Sequence, residues 1–122
     1  MSDLNVVDSS GWLEYLKGSE RANLFAAATE DTENLIVPVI SIYEVYKKFR
    51  LERNEKDARE AIGTMLNGKV VDLDLSLAIE AAKFELPLAD SIIYATAQHY
   101  QAMLWTQDQD FKDLPCVRYF SK

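Results

Sequence analysis

Leu4-Asn5-Val6-Val7-Asp8-Ser9-Ser10-Gly11-Trp12 is the stretch from which the rest of the chain is read. A short apolar run breaks at an aspartate. Asp8-Ser9-Ser10 is a natural helix start, because such side-chain oxygens accept from backbone N–H groups that have no partner within the helix. Residues 4–7 therefore read as a buried strand feeding a helix whose apolar stripe is Trp12, Leu13 and Leu16, and Gly18 stops that helix. The alternation recurs. A helix over 21–28 precedes a strand at 35–37 closed by Pro38, and helices follow over 41–53 and 56–66. A strand at 70–73, a helix over 76–84, a helix opening at Pro87 and running to 101, a strand at 103–106 and an edge strand at 117–119 complete the pattern. Short apolar strands alternating with helices specify an α/β sandwich with a mostly parallel sheet. In such sheets ligands gather outside the carboxyl ends of the strands.

Composition bounds the function classes. The chain has 122 residues, read as one domain over 1–122 with no linker or repeat, and 48% of them are apolar. No apolar run approaches the roughly 20 residues of a membrane span. The first residues, Met1-Ser2-Asp3-Leu4-Asn5, carry an acid and no base, unlike a signal peptide. Cys116 is alone, which excludes an internal disulfide or a multi-cysteine zinc site and fits a reducing cytoplasm. The net charge of −7 argues at first against a nucleic-acid partner. Basic residues, however, concentrate at 47–59, as Lys47, Lys48, Arg50, Arg53, Lys56 and Arg59. That stretch is a modest basic stripe or a solvated helix laced with i,i+4 pairs.

Four carboxylates stand where the pattern makes them informative. Asp8 follows the first strand directly, and Asp108 follows the fourth after Thr106-Gln107. Asp90 lies near a helix start in Leu86-Pro87-Leu88-Ala89-Asp90-Ser91, and Glu44 lies in about the first turn of its helix, off the Ile42, Val45 and Phe49 stripe. Each has an ordinary reading. Asp8 is a helix cap, Asp90 favours the helix dipole, Asp108 and Asp110 shape a turn, and Glu44 pairs with Lys48. Together they say more. Converging carboxylates repel one another and raise one another's pKa, a cost a fold keeps chiefly to hold a hard divalent cation. Such an ion activates water toward a phosphodiester and supplies the positive charge an acidic chain lacks.

Competing chemistries find little support. His99 is the only histidine, which excludes a paired-histidine ribonuclease, and it reads as a helix-surface residue. No Gly-x-Ser-x-Gly elbow or phosphate-binding glycine loop is present. A phosphorylated receiver needs a second acid beside Asp8, where Ser9 and Ser10 stand instead, although Asp72 or Asp74 would serve as acceptor. Cys116 reads as structural, and Trp12, Trp105, Tyr43 and Tyr46 read as packing rather than base-stacking residues.

With those motifs in view, the runs Val6-Val7-Asp8-Ser9-Ser10-Gly11-Trp12, Ser41-Ile42-Tyr43-Glu44-Val45, Leu86 to Ala97 and Leu104-Trp105-Thr106-Gln107-Asp108-Gln109-Asp110-Phe111 resemble the PIN domain, and more narrowly the VapC-type toxins of bacterial toxin–antitoxin pairs. The resemblance spans nearly the whole chain, with four motifs in the family's order. It implies a three-layer α/β/α fold and a Mg²⁺- or Mn²⁺-dependent endoribonuclease that inhibits translation by cutting RNA, often tRNA or rRNA. It also implies a cognate antitoxin that covers the acidic pocket, and a toxin homodimer. Asp8, Glu44, Asp90 and Asp108 match the family's acids, with Asp8, Asp90 and Asp108 as metal ligands and Asp110 as an accessory acid. Thr106 and Ser9 match positions that hydrogen-bond a carboxylate or a metal-bound water. A catalytically silent member of the fold, acting only as a binding partner, is the alternative. One departure bears on it. Only Lys83-Phe84-Glu85 joins the helix at Ala78–Ala82 to the Leu86-Pro87 motif, shorter than the family's usual join. A short join implies a displaced Asp90, a truncated helix, or exchange of elements between protomers.

Overall fold

The computed structural model describes residues 3–122, so the first two residues of the amino-terminal reading lie outside it. Five strands, β1 (Asn5–Val7), β2 (Leu35–Pro38), β3 (Lys69–Val71), β4 (Met103–Thr106) and β5 (Val117–Tyr119), form one sheet in the order β3-β2-β1-β4-β5. Every pairing is parallel. Six helices connect them: α1 (Ser9–Lys17), α2 (Ala22–Thr29), α3 (Val39–Glu52), α4 (Glu55–Met65), α5 (Leu75–Ala81) and α6 (Leu88–His99).

The period-two alternation of the strands assigns the two faces. Val7, Leu35 and Val37 pack with Trp12, Phe25, Val45 and Met65 under α1 to α4. Their strand neighbours Val6, Ile36 and Leu104 pack with Ile93, Tyr94 and Phe111 under α6. The result is the three-layer α/β/α sandwich. Residues Ser91 to Ala97 of α6 are buried without a break, which its all-round apolar sequence permits. None of the described helices is long and apolar enough to cross a membrane.

Strand order fixes where a site can form. From β1 the chain moves outward to β2 and β3 on one side, and it later returns to β4 and β5 on the other. The carboxyl ends of β1 and β4 are therefore the topological switch point, the crevice in which open parallel sheets bind ligands.

Several boundaries differ from the sequence reading. The helix expected over 76–84 ends at Ala81, and residues 82–84 continue as a hydrogen-bonded turn, Lys83 N to Glu80 O and Phe84 N to Ala81 O. The short join is thus absorbed by truncating α5. Phe84 meets Tyr94 edge-on at 4.9 Å, which pins the turn to α6. The third strand lies at Lys69–Val71, earlier than expected, because Asp74 caps α5 through Leu77 N and draws the following residues out of the sheet. α3 starts at Val39 immediately after Pro38, which places Glu44 in its second turn. Cys116 is exposed and adopts a left-handed φ of 59°, so it is a turn residue and not a buried structural thiol. Trp12 is fully buried as expected, whereas Tyr43 is 57% exposed and does not serve the core.

Candidate active site

Asp8 ends β1 and caps α1, so one residue satisfies both the sheet edge and the helix start. Its carboxylate accepts from Gly11 N at 2.9 Å, from Ser10 Oγ at 3.0 Å and from Thr106 Oγ1 at 2.7 Å. It is almost wholly buried. Burial pushes its pKa up to about 6 despite those three donors, and nearby Asp108 adds to the rise.

Thr106 links the two strand ends. Its hydroxyl donates to Asp8 and accepts from Asp108 N at 2.9 Å, fixing the start of the loop in which Asp108 in turn accepts from Asp110 N at 2.9 Å. Thr106→Val would keep the volume and remove both bonds from a fully buried position. The expected cost is about 1–3 kcal/mol for the groups left unpaired, read as a melting temperature lower by several degrees. The variant also removes a bond that favours ionised Asp8, so the Asp8 pKa should climb further, measurable by NMR titration of its carboxyl carbon.

Asp90, in the first turn of α6, faces a helix N-terminus that should hold its pKa down. The opposite happens. Partial burial comes first, and Asp108, Asp8, Glu44 and Asp110 then all add repulsion, which raises it to about 7. Despite the short join before Pro87, Asp90 lies with the other acids. Carboxylate oxygens of Asp90, Asp108 and Asp110 lie within 4.8 Å of one another. Glu44 reaches the same place from α3, where Ser9 Oγ donates to its Oε1 at 2.6 Å. Asp8, Ser9, Glu44, Lys48, Asp90 and Asp108 line one cleft of about 300 Å³.

All four expected acids are therefore brought together, and Thr106 and Ser9 hydrogen-bond two of them. Two details depart from expectation. The tight triple contains Asp110 in place of Asp8, whose oxygens are already engaged by three donors. Glu44 bonds Ser9, while Lys48 pairs with Glu52 at 2.8 Å. Sequence reasoning missed Ser10, whose hydroxyl reaches both Asp8 oxygens, and Lys48 as a lining residue. Proximity to Asp8 within a cap motif was the available signal for Ser10. The ligand atoms on offer are carboxylate oxygens without histidine or cysteine, the donor set a Mg²⁺ or Mn²⁺ ion takes, and Lys48 is already committed to Glu52. The residues fit such an ion.

The PIN domain family model matches residues 6–115. The chain belongs to the PIN domain family. Solved structures share this PIN fold. A toxin–antitoxin complex from Klebsiella pneumoniae superposes with a TM-score of 0.78 at 21% identity, covering 97% of this chain and 99% of that one. VapC20 of Mycobacterium tuberculosis, described as a sarcin-ricin-loop-cleaving toxin, gives 0.75 at 17% identity, covering 93% and 96%. DNA-bound VapBC from Salmonella typhimurium gives 0.76 at 15% identity, covering 99% and 98%. No curated protein matches in sequence.

Proposed function

We propose that this PIN domain is a Mg²⁺- or Mn²⁺-dependent endoribonuclease, the toxin of a toxin–antitoxin pair, which cuts tRNA or rRNA and so inhibits translation. The observation that carries the reading is the convergence of Asp8, Glu44, Asp90, Asp108 and Asp110 at the switch point, with Asp90 raised by burial first and then by the other four. Such repulsion has a physical use when a divalent cation relieves it. The solved relatives described as toxins support the substrate class, and those described as toxin–antitoxin complexes support a cognate antitoxin partner. A homodimer in the cytoplasm belongs to the same reading.

In this mechanism Asp90 and Asp108, with Asp8 and Asp110, would hold the ion. When bound, the ion supplies positive charge for phosphate and lowers the pKa of water. Ser9 fixes one Glu44 oxygen and leaves the other to accept a proton from the attacking water. Gly11, Ser10 and Thr106 keep Asp8 oriented, so the acid does not rotate away as charge develops. Hydrolysis of this kind leaves 5′-phosphate and 3′-hydroxyl ends and makes no use of the RNA 2′-hydroxyl as nucleophile. The test is RNA incubated with the protein and Mn²⁺, with and without chelator, beside Asp8→Asn. Cleavage should vanish in chelator and in the variant, and its persistence in either would sink the mechanism.

A further inference from the structure

The acid cleft does not end at its carboxylates. It shares Glu44 and Lys48 with a hollow of about 280 Å³ on α3. That hollow shares Tyr43 and Lys47 with a larger one of about 540 Å³ that reaches Arg50. The three hollows thus share side chains in turn and lie side by side around α3, next to the reacting centre. Tyr43, Lys47 and Arg50 are spaced four and three residues apart and so form one stripe of α3.

We propose that these hollows act as one groove that holds the single-stranded RNA flanking the scissile phosphate, with Tyr43 stacking a base and Lys47 and Arg50 taking phosphates. The inference rests on the ribonuclease reading and extends it to how substrate is held. Tyr43 is the feature that needs explaining, since a large aromatic ring more than half exposed contributes little to the core. Lys47 steadies it, with Nζ 5.6 Å from the ring centroid and 3.3 Å from the hydroxyl to which it donates. Within the basic stretch Lys48 and Arg59 are paired with Glu52 and Glu55, and Arg53 lies over the Phe49 ring. Lys47 and Arg50 enter no ion pair among the described residues, so their charge is available. Exposed aromatic rings beside a basic track are how proteins hold single strands without reading their sequence. An acidic chain also needs a local cationic path if a polyanion is to reach its carboxylates at all.

The experiment is fluorescence anisotropy of a short labelled oligouridine in chelator, on an Asp90→Asn background, so that binding is read without cleavage. Tyr43→Ala should weaken binding about tenfold, and Tyr43→Phe should retain most of it. Lys47→Ala with Arg50→Ala should flatten the slope of log K against log salt by about 1.4, at about 0.7 per phosphate for single strands. Unchanged affinity in Tyr43→Ala overturns the proposal. Should that variant instead lose binding to the cognate antitoxin, the face belongs to the partner protein. Tyr43-dependent binding by a chain that never cleaves RNA would uphold the groove and remove the nuclease reading. Cleavage with Tyr43-independent binding would do the reverse.

Discussion

Asp90→Asn should end RNA cleavage and at the same time make the protein melt at a higher temperature. The two effects share one cause. The Asp90 carboxyl is raised from 3.8 to about 7 by burial and by four neighbouring acids. Between about pH 4 and 7 the folded chain therefore holds a proton that the unfolded chain has released. Stability falls as pH rises through that window, and above it the penalty is fully present. Asp8, raised to about 6, acts in the same direction over a narrower range. Asparagine at position 90 carries no charge and escapes the penalty. The whole shift corresponds to about 4 kcal/mol, but Asp90 is only half-buried, and solvent screening reduces this to about 1–2 kcal/mol. At pH 8 in chelator the variant should thus melt several degrees above the native protein, with a shallower pH dependence. Mn²⁺ should raise the native melting temperature and leave the variant's nearly unchanged. Activity should drop by a hundredfold or more, since even groups that only support a metal ligand are worth about 10–100-fold. Equal melting temperatures at pH 8 would show that the carboxylates do not strain the fold.

How much of this was legible in the sequence depends on what each residue reports locally. Asp8 was readable because a strand end and a helix cap coincide there, and both leave a short-range pattern. Gly18 was readable as the helix stop, and it adopts the left-handed φ of 64° that the position requires. The parallel sheet followed from strands and helices alternating, and the PIN domain family model matches residues 6–115. What stayed hidden was pairwise geometry. Nothing in Ser9-Ser10 says that the first hydroxyl serves Glu44, 35 residues away, while the second serves Asp8. The i,i+4 rule paired Glu44 with Lys48, yet Ser9 reaches Glu44 across the sheet edge and Lys48 turns to Glu52. The short join left Asp90 ambiguous because chain length constrains a helix only through where its neighbours end. In the structure α5 stops at Ala81, Phe84 packs on Tyr94, and Asp90 lies with the other acids. Tyr43 was read as packing for a related reason, since an aromatic in a helix gives the same signal whether it faces the core or, as here, solvent.

Gly11→Ala should destabilise the protein although it adds only one methyl group. Gly11 is the third residue of α1, where alanine is ordinarily the better helix former by about 1 kcal/mol. Intrinsic propensity therefore predicts a gain, and packing predicts the reverse. A Cβ at this position would lie 2.7 Å from Phe25 Cε1, 2.8 Å from Phe25 Cδ1 and 2.8 Å from Val7 Cγ1. Both neighbours are fully buried, one an aromatic ring and the other a β-branched strand residue, so neither has a flexible end to swing aside. Overpacking of this kind typically costs about 1–3 kcal/mol, which exceeds the propensity gain. The alternative to moving the ring is lifting α1 off the sheet, and that carries a chemical consequence. The Gly11 amide is one of the three donors that hold Asp8, so a displaced α1 turns the acid away from Thr106 and the cleft. Gly11→Ala should accordingly lower the melting temperature by several degrees and weaken Mn²⁺ stabilisation as well. Phe25→Leu in the same chain removes ring atoms from the point of overlap and should recover part of both losses, although alone it leaves a cavity and destabilises. If the double variant is no more stable than Gly11→Ala, the clash with Phe25 is not what keeps glycine at this position.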